Sequence, residues 1–192
     1  MMMKSKCSWA VSSQLEEYYH DHEWGVPVHD DRLLFEFLSL EGAQAGLSWS
    51  IILRKREAYR MAFDNFDSHV VALYDDTKLT ALLANSGIVR NRLKIQSVVN
   101  NAKAFIAVQN EWGSFDSYIW SFVDGVTVQN NWINSTEVPA SNEVSMLMSK
   151  DLKKRGFKFV GSVICYAFMQ AIGMVNDHTV DCFRHAELIM EG

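Results

Sequence analysis

Residues Asp75–Asn110 read DDTKLTALLANSGIVRNRLKIQSVVNNAKAFIAVQN. In the second half, Ile95, Val98, Val99, Ala102, Phe105 and Ile106 recur at helical spacing, while Lys94, Asn101 and Lys103 occupy the other face. In the first half, Leu79, Leu82 and Leu83 share a face, Asp76 and Thr77 are capping candidates, and Gly87 stands where a left-handed C-terminal residue belongs. The stretch predicts two helices joined by a tight turn.

Outward from this pair the same reading continues. Leu33–Leu40 and Ser48–Phe63 read as helices separated by the Gly42–Gly46 turn, and Ser114–Val123 as a shorter, aromatic-rich one. Asn130–Ser141 is polar, contains Pro139 and reads as a long surface loop, with Ser141 capping a helix that runs to Arg155 and stops at Gly156. The apolar run Phe157–Val175, interrupted by Lys158, Ser162 and Gln170, is too short for a membrane span and reads as a core helix. Seven or eight helices, no convincing strand alternation, no repeat and no linker imply an all-α fold. One compact unit, 1–192, is expected, with approximate lobes 33–110 and 1–32 plus 111–192.

The chain has 192 residues, 48% hydrophobic and 21% charged, with two prolines, which places it among globular proteins able to bury a core. A net charge of -5 argues against nonspecific coating of nucleic acid, yet leaves room for local basic faces. Three such clusters exist: Arg54, Lys55 and Arg56; Arg90, Arg92 and Lys94; and Lys150, Lys153, Lys154, Arg155 and Lys158. Each alone is ordinarily a solvated helix face. The second follows the turn Ser86-Gly87-Ile88-Val89, whose free N–H groups beside a helix N-terminus would suit a DNA phosphate. Three cysteines cannot close a disulfide framework and no secretory leader opens the chain, so a reduced, cytoplasmic protein is expected.

His178 and Cys182 are four residues apart, after the capping residues Asn176 and Asp177, so a helix there would put both donors on one face. Cys7 and His20 offer the same donor types near the other end of the chain, completing a Cys2His2 set suited to zinc. Spacing alone leaves open the alternative of a stray thiol, a surface histidine and a buried cysteine. A rival set, His20, His22, Glu23 and His29, lacks the distant ligands that a hydrolytic centre needs. Cys165 sits in an apolar run as a small hydrophobe.

Glu41 ends an apolar run beside Gly42 and is followed by Gln44, Gly46, Ser48 and Trp49. An isolated glutamate at a helix end is ordinarily solvated, but Trp9, Tyr18, Tyr19, Trp24 and Trp49 crowd the same quarter of the chain. Aromatics mostly fill cores; flat aromatic walls also accept a flipped base. A base methylated on a ring nitrogen is cationic, so ring faces and one carboxylate would select it. The same charge makes it a good leaving group, and stabilising an oxocarbenium-like sugar would then suffice.

The segments Tyr19–Pro27 (YHDHEWGVP), Leu40–Trp49 (LEGAQAGLSW) and Lys153–Gly161 (KKRGFKFVG), with Ser86–Arg90 (SGIVR) and Asn176-Asp177-His178, strongly resemble the DNA-3-methyladenine glycosylase I family. The resemblance runs from Cys7 to Cys182 and leaves only the tail Phe183–Gly192 unmatched, with nothing assigned to it. It implies a helix-hairpin-helix glycosylase fold with the hairpin around Gly87, whose contacts to the DNA backbone would come from Gly87, Ile88, Val89, Arg90, Arg92 and Lys94. It also implies one structural zinc on Cys7, His20, His178 and Cys182, and a base pocket of Glu41, Trp49, Tyr19, Trp24 and Trp9. The implied activity is hydrolysis of the N-glycosidic bond of 3-methyladenine in double-stranded DNA by a monomer, releasing the free base without a lyase step. Four protein ligands leave a metal no position for a water, which suits a structural role. Wider relatives carry a catalytic aspartate after the hairpin, but Arg92–Ala107 contains no acidic residue, so any carboxylate role falls to Glu41. A noncatalytic lesion-binding module and a zinc-dependent hydrolase are the competing expectations.

Overall fold

Short polar side chains begin most of the helices by accepting the first orphaned N–H groups. Ser13 accepts from Glu16 N–H, Asp30 from Leu33, Asp75 from Lys78, Asn91 from Lys94, Ser114 from Ser117 and Asn142 from Ser145. The computed structural model describes residues 5–191; residues 1–4 and 192 of the expected lobe 1–32 plus 111–192 lie outside the described residues. Among the described residues there are ten α-helices: α1 Gln14–His22, α2 Asp31–Gln44, α3 Trp49–Ala62, α4 Ser68–Val71, α5 Asp76–Ala84, α6 Arg92–Trp112, α7 Phe115–Trp120, α8 Glu143–Lys154, α9 Ser162–Ala171 and α10 Phe183–Glu191.

The all-helical expectation holds with one exception. Val128–Gln129 (β1) and Val175–Asn176 (β2) form a two-residue parallel pair, Val128 opposite Val175 and Gln129 opposite Asn176. The apolar run Phe157–Val175 is therefore helical only over α9. At Gly173, with φ +74°, a Cβ would lie 2.5 Å from Pro27 N and Val26 C, so only glycine lets the chain cross the Val26–Pro27 backbone and turn into β2. The unmatched tail is α10, with Leu188 buried.

Helix α2 is the spine. Every residue from Leu34 to Ala43 is buried, and the helix packs against α3, α6, α7 and α9. Around it Phe35 meets Phe66 and Phe105, and Phe105 stacks on Phe115 at 4.1 Å. Each such ring removed from water contributes roughly 1.5–3 kcal/mol, which anchors α2 in the core. Helices α5 and α6 are the predicted pair, but two details differ. Asn101, expected on the outer face, is buried because its amide holds the Lys158 N–H at 2.8 Å and the Lys158 carbonyl at 3.0 Å. Gly87 does not adopt a left-handed conformation; a Cβ there would meet Ala58 Cβ at 2.9 Å, so the requirement is space. Among the described residues no helix is long and apolar enough to cross a membrane.

Candidate active site and metal centre

A cavity of about 360 Å³ opens beside the C-terminal end of α2. Glu41, Trp49, Tyr19, Trp24 and Trp9, the five residues expected to form a pocket, all line it. Helix α2 supplies Glu41 and Gln44, the start of α3 supplies Trp49, α1 supplies Tyr19, and flanking turns supply Trp9 and Trp24. Glu41 is 4% exposed, and burial pushes its carboxyl up to about 8 from an ordinary 4.5. Burial, and then the charge of Glu41, also push the Tyr19 phenol up.

The rings form a continuous wall. Tyr19 and Trp49 lie 5.4 Å apart between centroids, and Trp9 meets Trp24 edge-on at 5.0 Å. The indole N–H of Trp49 is buried with no acceptor among the described residues. An unmet buried donor costs about 1–3 kcal/mol, which an acceptor on a ligand would recover.

Sequence reasoning missed Ser135, Val138, Ala167, Gln170, Asp177 and Thr179, which also line the cavity. Asp177, read as a helix cap, is instead a buried anchor. Its Oδ1 accepts from Asn130 Nδ2 at 2.7 Å and Trp132 Nε1 at 2.8 Å; its Oδ2 accepts from Tyr166 OH and Gln170 Nε2, both at 2.7 Å. These bonds draw the polar 130–141 segment, expected as a free surface loop, over α9 so that Ser135 and Val138 face the cavity. The available signal was Gln170, a lone amide in an apolar run.

Next to the pocket, Cys7, His20, His178 and Cys182 are all buried and present donor atoms within 4.8 Å of one another, an arrangement able to hold a metal ion. His178 and Cys182 do not sit on a helix as expected; they lie in the turn between β2 and α10, and the turn itself brings them together. His20 Nε2 is 3.2 Å from His178 Nδ1, Cys182 Sγ is 3.4 and 3.5 Å from those two atoms, and Cys7 Sγ is 3.6 Å from His178 Nδ1. The outer ring nitrogens are occupied: His20 Nδ1 by Asp21 Oδ1 at 2.8 Å and His178 Nε2 by the Trp24 carbonyl at 3.1 Å. Such partners fix which nitrogen faces the centre. The Cys7 thiol, followed by the two imidazoles, lowers the Cys182 thiol, and the same Cys7–Cys182 contact raises Cys7. The rival set does not assemble; His29 pairs with Asp116 and stacks on Trp120.

At the α5–α6 turn the expected free amides are used internally. Gly87 N–H donates to Asn85 Oδ1, Val89 N–H to the Tyr59 hydroxyl, and Ile88 N–H points to the Asn85 carbonyl. The first turn of α6, where helix geometry leaves N–H groups without an intrahelical acceptor, has its Lys94 N–H taken by Asn91 Oδ1 at 3.1 Å and lies beside the exposed Arg90 and Arg92. Lys94 departs from its expected place with them. Its ammonium turns inward to the carbonyls of Ala43 at 2.8 Å and Ala45 at 2.6 Å, because the end of α2 presents unpaired acceptors there. Lys55 donates to the carbonyls of Ser86 and Gly87, and Arg56 is buried against Glu36 and Glu23.

A family model described as methyladenine glycosylase matches residues 9–185. A DNA-3-methyladenine glycosylase of Haemophilus influenzae is 45% identical over 180 residues, covering 94% of this chain and 97% of its own length. The crystal structure of a 3-methyladenine DNA glycosylase I superposes with a TM-score of 0.91 at 47% identity, over 93% of this chain and 98% of that one. A structure addressing 3-methyladenine recognition by the glycosylase I of Staphylococcus aureus gives a TM-score of 0.91 at 34% identity, over 94% and 96%. The family resemblance carried by the motifs is thus borne out along nearly the whole sequence: the chain belongs to the methyladenine glycosylase family.

Proposed function

We propose that this protein is a DNA-3-methyladenine glycosylase of base-excision repair, hydrolysing the N-glycosidic bond of 3-methyladenine in alkylated DNA. The observation that carries the reading is a buried carboxyl, Glu41, inside a cavity walled by four aromatic rings. A neutral adenine gains little from such a site, whereas a permanently charged methylated purine gains from both the ring faces and the carboxylate. Arrival of the cation favours loss of the Glu41 proton, so the anion forms where it is needed.

In the reaction, the bond between the sugar C1′ and the base nitrogen breaks with its electron pair going to the base, which neutralises the purine. The sugar is left as an oxocarbenium-like cation, and water adds to C1′ and gives up a proton. Trp49, Tyr19, Trp24 and Trp9 hold the extruded base, and Glu41 acts as recognition element and electrostatic partner. No lysine lines the cavity among the described residues, which supports a monofunctional enzyme lacking the amine that lyase chemistry requires.

The α5–turn–α6 unit is read as a helix-hairpin-helix that seats the DNA backbone through the start of α6, with Arg90 and Arg92 beside it. The pocket then lies between lobes 33–110 and 1–32 plus 111–192. Zinc fits the four donors. Ligand distances of about 2.0–2.1 Å for nitrogen and about 2.3 Å for sulfur imply tetrahedral edges of about 3.3 Å between nitrogens and about 3.6 Å between nitrogen and sulfur, close to the observed spacings. Cys7, His20, His178 and Cys182 would hold the ion, which supplies cross-linking rather than a reactive water.

The test is incubation of the purified protein with DNA methylated by a simple alkylating agent, followed by chromatography of released bases. Free 3-methyladenine with uncleaved abasic strands is the expected result; no released base would leave a lesion-binding module.

A further inference from the structure

Lys94 joins the helix that begins the DNA-facing surface to the turn that shapes the pocket. It is the third residue of α6, and its backbone N–H is held by the Asn91 cap at 3.1 Å, so its Cα is fixed. From there the half-buried side chain reaches α2, where Nζ donates to Ala43 O and Ala45 O. These carbonyls bracket Gln44, which lines the cavity and closes the turn by donating from Nε2 to Leu47 O at 2.9 Å. Glu41 lies one helical turn before this point, and Trp49 begins α3 just after it. At Gly46, φ is +76° and a Cβ would meet nothing within 4 Å, so the space around that residue contributes no packing to hold the turn.

We propose that Lys94 is a positioning residue for the base pocket and not a phosphate contact: its ammonium fixes the Ala43–Leu47 turn and thereby the placement of Gln44 and Trp49 on the cavity wall. The inference rests on reading the cavity as the base site. A cation at the C-terminus of α2 also complements the helix dipole, and charge-assisted bonds to two carbonyls are the strongest polar restraint available to a turn of this composition.

Two measurements on Lys94→Met and Lys94→Arg separate the roles. Affinity for free 3-methyladenine, followed by quenching of tryptophan fluorescence, should fall roughly tenfold in K94M, the scale of losing charge-assisted hydrogen bonds, and recover largely in K94R. Affinity for undamaged duplex DNA across a salt series should match wild type in magnitude and slope. Unchanged base affinity in K94M, or a salt slope reduced by about one with base affinity intact, the signature of a lost phosphate contact, overturns the proposal. If K94M does not fold, Lys94→Gln, which keeps a neutral donor, is read in the same assays, and base affinity equal to wild type again overturns it. Failure of the wild-type protein to bind the free base would instead sink the pocket reading itself, and the inference with it.

Discussion

Trp24 and His178 are joined twice: the Trp24 carbonyl accepts from His178 Nε2 at 3.1 Å, and the Trp24 indole stands edge-on to the same imidazole at 4.6 Å between centroids. A wall of the pocket therefore leans on a residue of the candidate metal site. His20 extends the link, with its ring 5.4 Å from Trp9 and 6.4 Å from Trp24.

Metal removal should consequently affect fold and pocket together. Chelation under mild denaturing conditions is expected to lower the melting temperature by roughly ten degrees or more, the scale of losing several kcal/mol in a domain of this size. Affinity for 3-methyladenine should fall in parallel, and zinc should restore both. Scanning fluorimetry with metal analysis checks this; loss of excision with an unchanged melting temperature would place the metal in the reaction instead.

Glu41 gives stability a pH dependence. Its carboxyl titrates near 8 in the folded chain against an ordinary 4.5, so the folded state keeps a proton that the unfolded state releases. Stability from this group is complete below the lower value and declines as pH rises through the window, by up to about 1.4 kcal/mol per pH unit, levelling off above 8. Glu41→Gln removes the decline: urea midpoints of E41Q and wild type should diverge in favour of E41Q between pH 5 and pH 8.5. Parallel midpoints would mean that Glu41 is solvated.

The same titration should appear in turnover. A cationic base needs the ionised carboxylate, so kcat/KM on methylated DNA is expected to rise with pH and level off near 8, reporting the free enzyme. E41Q should show low activity without that limb, while keeping its circular dichroism spectrum.

Asp177 uses both oxygens as double acceptors, and an amide in its place would set an NH2 group against two donors. Asp177→Asn is expected to destabilise by about 2–4 kcal/mol, measured by urea denaturation, and to loosen the 130–141 wall. Proteolysis within that segment should accelerate in D177N at temperatures where the remaining helices are intact; unchanged cleavage would show that the segment is held by other contacts.

Gly87→Ala places a methyl 2.9 Å from Ala58 Cβ. Overpacking of this kind costs about 1–3 kcal/mol. Ala58→Gly should recover part of the loss, so the double mutant is expected to be more stable than the sum of its single changes; strict additivity would place the strain elsewhere.

The sequence made the chemistry more legible than the backbone around it. Glu41 and its aromatic neighbours lie close in the chain and carry motif-length signals, so their shared cavity could be anticipated. His178 and Cys182 were paired correctly for the wrong reason, since i,i+4 spacing suggests a helix whereas a turn also brings such residues together. Gln170 and Ser135 were hidden because their importance depends on Asp177, whose four donors come from two separate segments, the 130–132 stretch and α9. Lys94 and Asn101 look like an ordinary polar face of α6; what draws them inward is an unpaired carbonyl pair and an exposed peptide on other elements, acceptors that no periodicity in α6 reveals. Helices α1, α4 and α10 were missed because they are short or crowded with aromatic and ionisable residues.

The four candidate metal ligands come from the first and last stretches of the described chain, and synthesis runs in one direction. A nascent polypeptide holds Cys7 and His20 early but lacks the other two donors until residue 182 has been made. Before then Trp24 has neither the imidazole that orients its carbonyl nor the partner for its ring. Incomplete translation products and chains clipped ahead of His178 are thus deprived of a braced pocket.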